Sequence, residues 1–302
     1  MSLGILFRGL QKTRSTIRVR RCLLKEFVKN LIKRSIQSFM RIFSSTRLGS
    51  FIGDIVISDV MSRTQIVVHN DTTLQLTIPN KMNRYRADSF SLKEPETLDW
   101  LDNLPESCTL WDIGANVGLY SIYAAKKNNC NVVAFEPSVF NLECLARNLF
   151  INEVQNQIII MPFALNDNLG PSFMHIGSTE WGGALSTFDK DIGWDGKSIK
   201  EVFSYQTFGL GMDKVVSILD IASPDYIKMD VDGIEHFILG SGLKVLTKVK
   251  GILVEINDDF VEQSEKSRII LENAGLKMIE KRHAENLEGT TFENTYNQIW
   301  CR

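Results

Sequence analysis

The stretch TLWDIGANVGLY, residues 109–120, decides how the chain is read. Leu110, Trp111 and Ile113 make a short apolar run around Asp112. Gly114 and Gly118 then bracket Ala115, Asn116 and Val117, and apolar residues resume at Leu119, Tyr120, Ile122 and Tyr123. The pattern predicts a buried strand, a glycine turn and a helix. Gly114 is free to take a backbone conformation closed to other residues, and Gly118 allows close approach of the helix to the strand or a ligand. The first helical turn offers free N–H groups and the positive end of a dipole.

The dinucleotide pattern G-x-G-x-x-G places a second glycine where this chain has Asn116. A side chain there narrows the room for a pyrophosphate. The turn, with Asp112 before it, suits a ligand that joins an amino acid to a nucleoside without phosphate, namely S-adenosylmethionine. The competing reading is a strand-turn-helix unit with incidental glycines. About twenty residues on, the strand Asn131–Glu136 ends in Ala-Phe-Glu-Pro. Glu136 stands where an acid binds the two ribose hydroxyls; the alternative is a helix N-terminal acid.

Beyond these, strand and helix alternate: helix 118–127, helix 138–149, strand 157–163, strand 226–230, strand 251–256, helix 262–274 closed by Gly275, and strands 276–280 and 296–301. This predicts an α/β fold, a mostly parallel sheet covered by helices on both faces, with its site beyond the carboxyl ends of the strands. Residues 164–217 read as irregular. Phe173, His175, Trp181, Trp194 and Tyr205 there fit extra strands and a lid, either stacking on a sugar ring or packing in the core. Strand 226–230 (YIKMD) sets Lys228 and Asp230 on one face. A lysine in an apolar strand requires an acid partner, and Glu255 in the next strand is the expected one, as a structural ion pair or a catalytic pair. Asp230 falls at the strand end, placed to hold the methionine part of the cofactor or a substrate hydroxyl. Asn166 or Asp167 is placed for the adenine amino group or belongs to a plain loop. Glu235, in a first helical turn, reads as an N-terminal acid.

Taken together, KEPETLDWL (93–101), WDIGANVGLYS (111–121), FEPSVFNLECLARNLFIN (135–152), ALNDNLG (164–170) and YIKMDVDGIEHFILGS (226–241) resemble the FkbM family of S-adenosylmethionine-dependent methyltransferases, over about residues 90–260. The resemblance implies a class I methyltransferase (Rossmann-like) sheet of seven strands, the last antiparallel. It also implies methyl transfer to oxygen, often on sugars or other glycan hydroxyls. It assigns Asp112, Gly114, Asn116, Gly118 and Glu136 to the cofactor, and Lys228, Asp230 and Glu235 to the active face; Ala115, inside the same turn, is expected to touch the cofactor as well. With these go Asn166, Asp167 and Glu255 from the reading of the strand ends. No metal is assigned; a rival mechanism has Asp230, Glu255 and Asn257 hold a divalent cation that polarises a diol. A different class altogether is a catalytically silent scaffold.

The composition bounds the rest. With 302 residues, 44% hydrophobic and 23% charged, the chain is ordinary for a globular protein. Five cysteines (22, 108, 130, 144, 301), no CxxC and four scattered histidines point to reduced thiols rather than a disulfide framework or a zinc site. The net charge of −2 hides an asymmetry: residues 1–50 carry 12 Lys and Arg against one acid, Glu26. These residues read as a basic arm with an amphipathic helix over 20–44. That helix packs on the domain or a second subunit, lies on an anionic membrane, or serves as a targeting segment. Nucleic-acid contact is the weakest reading, because few aromatics interleave with the basic residues. No run approaches the ~20 apolar residues of a membrane span. The expected setting is cytoplasmic, with the arm able to rest on a membrane surface. Residues 51–90 are expected to form a small β-hairpin or meander, with a polar loop over 83–91, and 91–302 the catalytic domain.

Overall fold

The computed structural model describes residues 27–283 and 287–302. The expected start of the basic helix at Arg20, and Cys22, lie outside the described residues. Two compact units divide the chain after Val60.

In the first unit, helix α1 covers residues 27–44 and α2 covers Arg47–Ser62. Thr46 caps α2: its hydroxyl accepts the Gly49 N–H at 2.9 Å. A Cβ on Gly49 would fall 1.8 Å from the Phe43 carbonyl oxygen, so only glycine lets the two helices turn this closely. Ile55-Val56-Ile57, expected as a strand of the hairpin, lie inside α2. Its apolar residues Phe51, Ile52, Ile55 and Val56 follow helical rather than alternating spacing.

The second unit opens with the hairpin β1 (Thr64–His69) and β2 (Thr72–Thr77), joined at Asn70-Asp71. Asn70 takes φ +50°, as a two-residue hairpin turn demands. The expected polar loop is instead helix α3 (Lys81–Asp88), capped by the Asn80 side chain on the Asn83 N–H, followed by the short α4 (Phe90–Lys93). Next come α5 (Pro95–Asp102), with proline at its first position, β3 (Thr109–Ile113), α6 (Leu119–Asn128), β4 (Asn131–Phe135), α7 (Val139–Asn152) and β5 (Ile158–Met161). The span expected to be irregular holds β6 (Ala164–Leu165), β7 (Gly170–Ile176), β8 (Thr187–Phe188), β9 (Phe203–Leu210) and α8 (Met212–Leu219). The chain closes with β10 (Tyr226–Met229), α9 (Glu235–Gly240), α10 (Leu243–Leu246), β11 (Gly251–Asn257), α11 (Val261–Asn273), β12 (Lys277–Arg282) and β13 (Thr295–Cys301).

The main sheet has seven strands in the order β12-β13-β11-β10-β3-β4-β5. Strands β11, β10, β3, β4 and β5 run parallel, and β13 is antiparallel to both its neighbours. This is the expected class I methyltransferase sheet. Successive residues feed opposite cores, because side chains alternate along a strand. Trp111, Ile113, Val133, Phe135, Ile252 and Val254 join one cluster with α8–α11. Leu110, Val132, Ala134 and Leu253 join the other with α5, α6, α7 and hairpin residues Leu74 and Leu76. The hairpin thus shares the core of the sheet domain. A second sheet, in the order β6-β9-β7-β8, stands where extra strands were expected. Among the described residues, no helix is long and apolar enough to cross a membrane.

Candidate active site

The reversal of strand order at β3 leaves a crevice beyond the carboxyl ends of β3, β4 and β10. A pocket there encloses about 590 Å³ of space between atoms, part of it open to solvent. Its floor is Gly114, Asn116, Glu136 and Asp230. Its inner wall is Phe163, Leu165, Met174, Phe188 and Ile238.

The glycine turn follows from its backbone. Gly114, Asn116 and Gly118 all take positive φ, at +83°, +51° and +83°. A Cβ on Gly114 would meet the Asp230 carbonyl oxygen at 1.9 Å, so glycine is required there for space as well as conformation. Gly118 serves packing instead: a Cβ there would fall 2.3 Å from Leu145 Cδ1, and it does not line the pocket. The Gly114 and Ala115 N–H groups both donate to the Phe135 carbonyl at 3.0 Å, which ties the turn to the end of β4. Glu136 completes the tie. Its carboxylate accepts the Asn116 N–H at 2.8 Å and the Ser138 N–H at 2.7 Å. Burial pushes the Glu136 carboxyl up to about 7, against the pull of those two donors.

Lys228 is buried beneath this floor. Its Nζ stands 3.3 Å from Asp230, 3.8 Å from Asp112 and 5.1 Å above the Tyr120 ring. The expected Lys228–Glu255 pair is replaced by this arrangement, and the register explains why. Lys228 lies level with Asp112 on β3 but with Leu253 on β11, so Glu255 stands two residues too far along. Asp112 also accepts the Ser121 hydroxyl at 2.5 Å, so it anchors α6 under the turn rather than facing the pocket. Burial pushes the Asp112 carboxyl up. Asp230 faces the pocket and its side chain keeps 25% of its surface exposed. Burial opposes its charge, but Lys228 and then Lys93 outweigh it and hold the carboxyl below the usual range.

Glu255 follows Val254 as Asp230 follows Met229, so Glu255 lies within β11 level with Asp230, which stands just past the end of β10. Burial, then the charge of Asp230, holds the Glu255 carboxyl well above the usual range, and it does not line the pocket. Asn257 is committed elsewhere: it donates to the Trp194 carbonyl at 3.1 Å and accepts the Asp259 N–H at 3.0 Å. Among the described residues no group of three His, Cys, Asp or Glu is disposed to hold a metal ion. Glu235 accepts the Val231 and Gly233 N–H groups at 3.2 and 3.1 Å and the Gln263 amide, as a helix N-terminal acid does. Asn166 and Asp167, expected near adenine, stand outside the pocket lining. The Asn166 amide donates to Asp189 at 3.2 Å, and Asp167 lies 3.8 Å from Lys190.

Several site residues escape a sequence reading. Lys93 and Glu94 pair at 2.5 Å, and both act electrically on Asp230 and Glu255. Thr187 lines the pocket with a buried hydroxyl, and so does the Asn116 carboxamide oxygen; both lack a partner among the described residues. A strap, residues 181–185, crosses the pocket rim. The Trp181 carbonyl accepts from Asn80 and Asn83 at 2.9 and 2.8 Å, and the Gly182 carbonyl from Arg86 at 2.8 Å. The Gly183 carbonyl accepts from Asn116 at 2.8 Å and Asn141 at 3.2 Å, and the Leu185 N–H donates to Asp232 at 2.8 Å. The lysine of KEPETLDWL and the asparagines of GANVG and SVFN were visible as letters. Only the fold brings the two asparagines to one carbonyl of the strap and sets the lysine near Asp230.

The model of the methyltransferase FkbM domain matches residues 112–278. Methyltransferase sdnD of Sordaria araneosa is 33% identical over 69 residues, which is 22% of this chain and 27% of that protein. The hexuronic acid methyltransferase AglP of Haloferax volcanii is 24% identical over 157 residues, 52% of this chain and 59% of that protein. The chain therefore spans less than two thirds of the length of these curated relatives. A solved precorrin-6y C5,15-methyltransferase from Geobacter metallireducens superposes with a TM-score of 0.39 at 16% identity, over 69% of this chain and 86% of that one. The family match runs from the acid before the glycine turn into β12, across more than half of the 302 residues, and takes in the turn, Glu136 and Asp230. The chain belongs to the FkbM methyltransferase family.

Proposed function

We propose that the protein is an S-adenosylmethionine-dependent methyltransferase acting on a hydroxyl of a sugar, glycan or related small molecule. The observation that carries this reading is the tie between Asn116 and Glu136 in the floor of an open pocket. The pocket fits the cofactor. Glu136 offers carboxylate lone pairs to two ribose hydroxyls, and the Asn116 carboxamide oxygen and Thr187 hydroxyl are buried polar atoms that await a partner. The slot of Phe163, Leu165 and Phe188 suits an adenine ring, with Thr187 in the role expected of Asn166 or Asp167. Asp230 faces the methionine end.

When bound, S-adenosylmethionine supplies an electrophilic methyl group on a sulfonium. The chain's part is to align the acceptor oxygen, and alignment supplies ~7–11 kcal/mol in such reactions. Asp230, kept ionised by Lys228 and Lys93, accepts a hydrogen bond from the acceptor hydroxyl and orients it. Lys228 holds Asp230 in place from below. The strap limits water at the reacting centre. The hexuronic acid acceptor in the name of the Haloferax relative supports a sugar substrate.

Calorimetric titration with S-adenosylmethionine tests the reading. Binding is expected, and Glu136→Gln weakens it by roughly 10- to 100-fold, since the amide keeps one acceptor oxygen and one hydrogen bond to a charged acceptor is lost. A folded protein that does not bind the cofactor leaves only a silent scaffold. Incubation with labelled S-adenosylmethionine and a panel of sugars, sugar nucleotides and glycolipids then identifies the acceptor.

A further inference from the structure

Residues 27–53 form a surface that methyl transfer does not use. On α1, Phe27, Leu31, Ile32, Phe39 and Ile42 are each more than half exposed. At 3.6 residues per turn they share one side of the helix, and Lys33, Arg34 and Arg41 lie on the other. On α2, Leu48, Phe51 and Ile55 repeat the exposed apolar pattern. The segment holds five basic residues, Lys29, Lys33, Arg34, Arg41 and Arg47, all exposed, and no Asp or Glu.

We propose that α1 and the first turns of α2 lie in the interface of an anionic lipid bilayer. The apolar side enters the acyl boundary and the Lys and Arg side chains reach the headgroups. Charge selects this occupant. Pairing with a second copy would set ten basic residues together, five from each chain, with only Glu26, Asp54 and Asp59 of each chain to offset the repulsion. An anionic leaflet supplies the opposite charge and the apolar medium at once. The position is on the membrane and not through it, because no helix among the described residues is long and apolar enough to cross.

Co-sedimentation of the full chain with vesicles of phosphatidylcholine alone, or mixed with phosphatidylglycerol, tests the proposal. The chain is expected to bind the anionic vesicles at least roughly tenfold more tightly, and less so as salt rises. The double variant Lys33→Glu/Arg34→Glu is expected to lose roughly thirtyfold, and Ile32→Ser/Phe39→Ser a comparable amount. Both variants alter exposed positions, so thermal unfolding and cofactor binding stay as in the parent. No binding to either vesicle, or equal binding to both, overturns the proposal. So does a dimer in light scattering that Ile32→Ser/Phe39→Ser converts to monomer, which would assign the surface to a second copy.

Discussion

Lys228 shows what a buried charge requires. It lies between Asp112 and Asp230 and over Tyr120, and burial alone would drive its ammonium toward neutrality. Asp230, Asp112 and Glu94 outweigh burial and hold its pKa above the ordinary lysine value. His236 is the opposite case. Neither ring nitrogen has a partner among the described residues, the ring lies tilted against Phe237 with centroids 4.0 Å apart, and burial pushes its pKa down to about 4. The unfolded chain, with its histidine near 6.5, then binds more protons than the folded one between those values. The contribution of His236 to stability is therefore expected to fall as pH drops from about 6.5 to about 4, and to lose nothing further below that. Relative to the parent, His236→Phe should gain about 1–3 kcal/mol between pH 6.5 and pH 4, read from urea unfolding of both proteins at a series of pH values. Glu136 and Glu235, both pushed up to about 7 by burial, act in the other direction: their contribution declines as pH rises from the ordinary carboxylate range through 7.

At the scale of elements, the hairpin is fastened to the sheet domain by two amides of α7. The Asn148 oxygen accepts both the Thr77 N–H at 2.8 Å and the Thr77 hydroxyl at 2.9 Å, and its nitrogen donates to the Val117 carbonyl at 2.8 Å. Asn152 accepts the Gln75 N–H at 2.9 Å and donates back to the Gln75 carbonyl at 2.6 Å. Asparagine thus imitates a neighbouring strand along the edge of β2. Asn148→Ala leaves several buried groups unpaired. It should cost about 2–4 kcal/mol, with loss of hydrogen-exchange protection first at Thr77. An unchanged melting curve would refute this account. The strap is held by the same kind of bond, side chain to backbone. Asp232→Ala removes the acceptor of the Leu185 N–H. Amide exchange over residues 182–185 should then speed by roughly tenfold or more, as loss of one charge-assisted bond implies, while the melting temperature falls only slightly, because alanine is strained at the positive φ of Asp232. An unaltered exchange rate there would mean that the remaining bonds hold the strap alone.

For the whole molecule, the pocket opens at the strand ends against the core that packs with α8–α11: Ile113, Phe135, Leu165, Met174, Phe188 and Ile238 belong to both. A ligand that bridges β3, β4 and β10 there stabilises the native state by mass action. S-adenosylmethionine at 100 times its dissociation constant should add about 2.7 kcal/mol. For a unit the size of Met61–Arg302 that raises the melting temperature by about 5–10 °C. Differential scanning fluorimetry checks this, and a flat titration would remove the cofactor from the account. The charge asymmetry belongs to this scale too, because it separates a basic segment from an acidic remainder along one chain.

The strands β3, β4, β10 and β11 could be read directly, because burial on both faces leaves short, mostly apolar runs, interrupted by a single charge in β3, β10 and β11. The glycine turn could also be read, since positive φ at 114 and 118 admits few other residues. Ile55-Val56-Ile57 misled because β-branched residues favour strands locally, while helical spacing over sixteen residues decides the element. Helix α3 was hidden because it buries only Asn83 and Ala87, too little to mark a period. The sequence by itself determined the sheet, the turn and the acid that faces it, all products of local backbone demand and alternating burial. Tertiary structure alone decided which carboxylates hold Lys228, why Asn166 turns away from the pocket, and how the strap closes over it. Those depend on which strands lie side by side and in what register, and residues as far apart as 112 and 228 acquire that relation only when the sheet assembles.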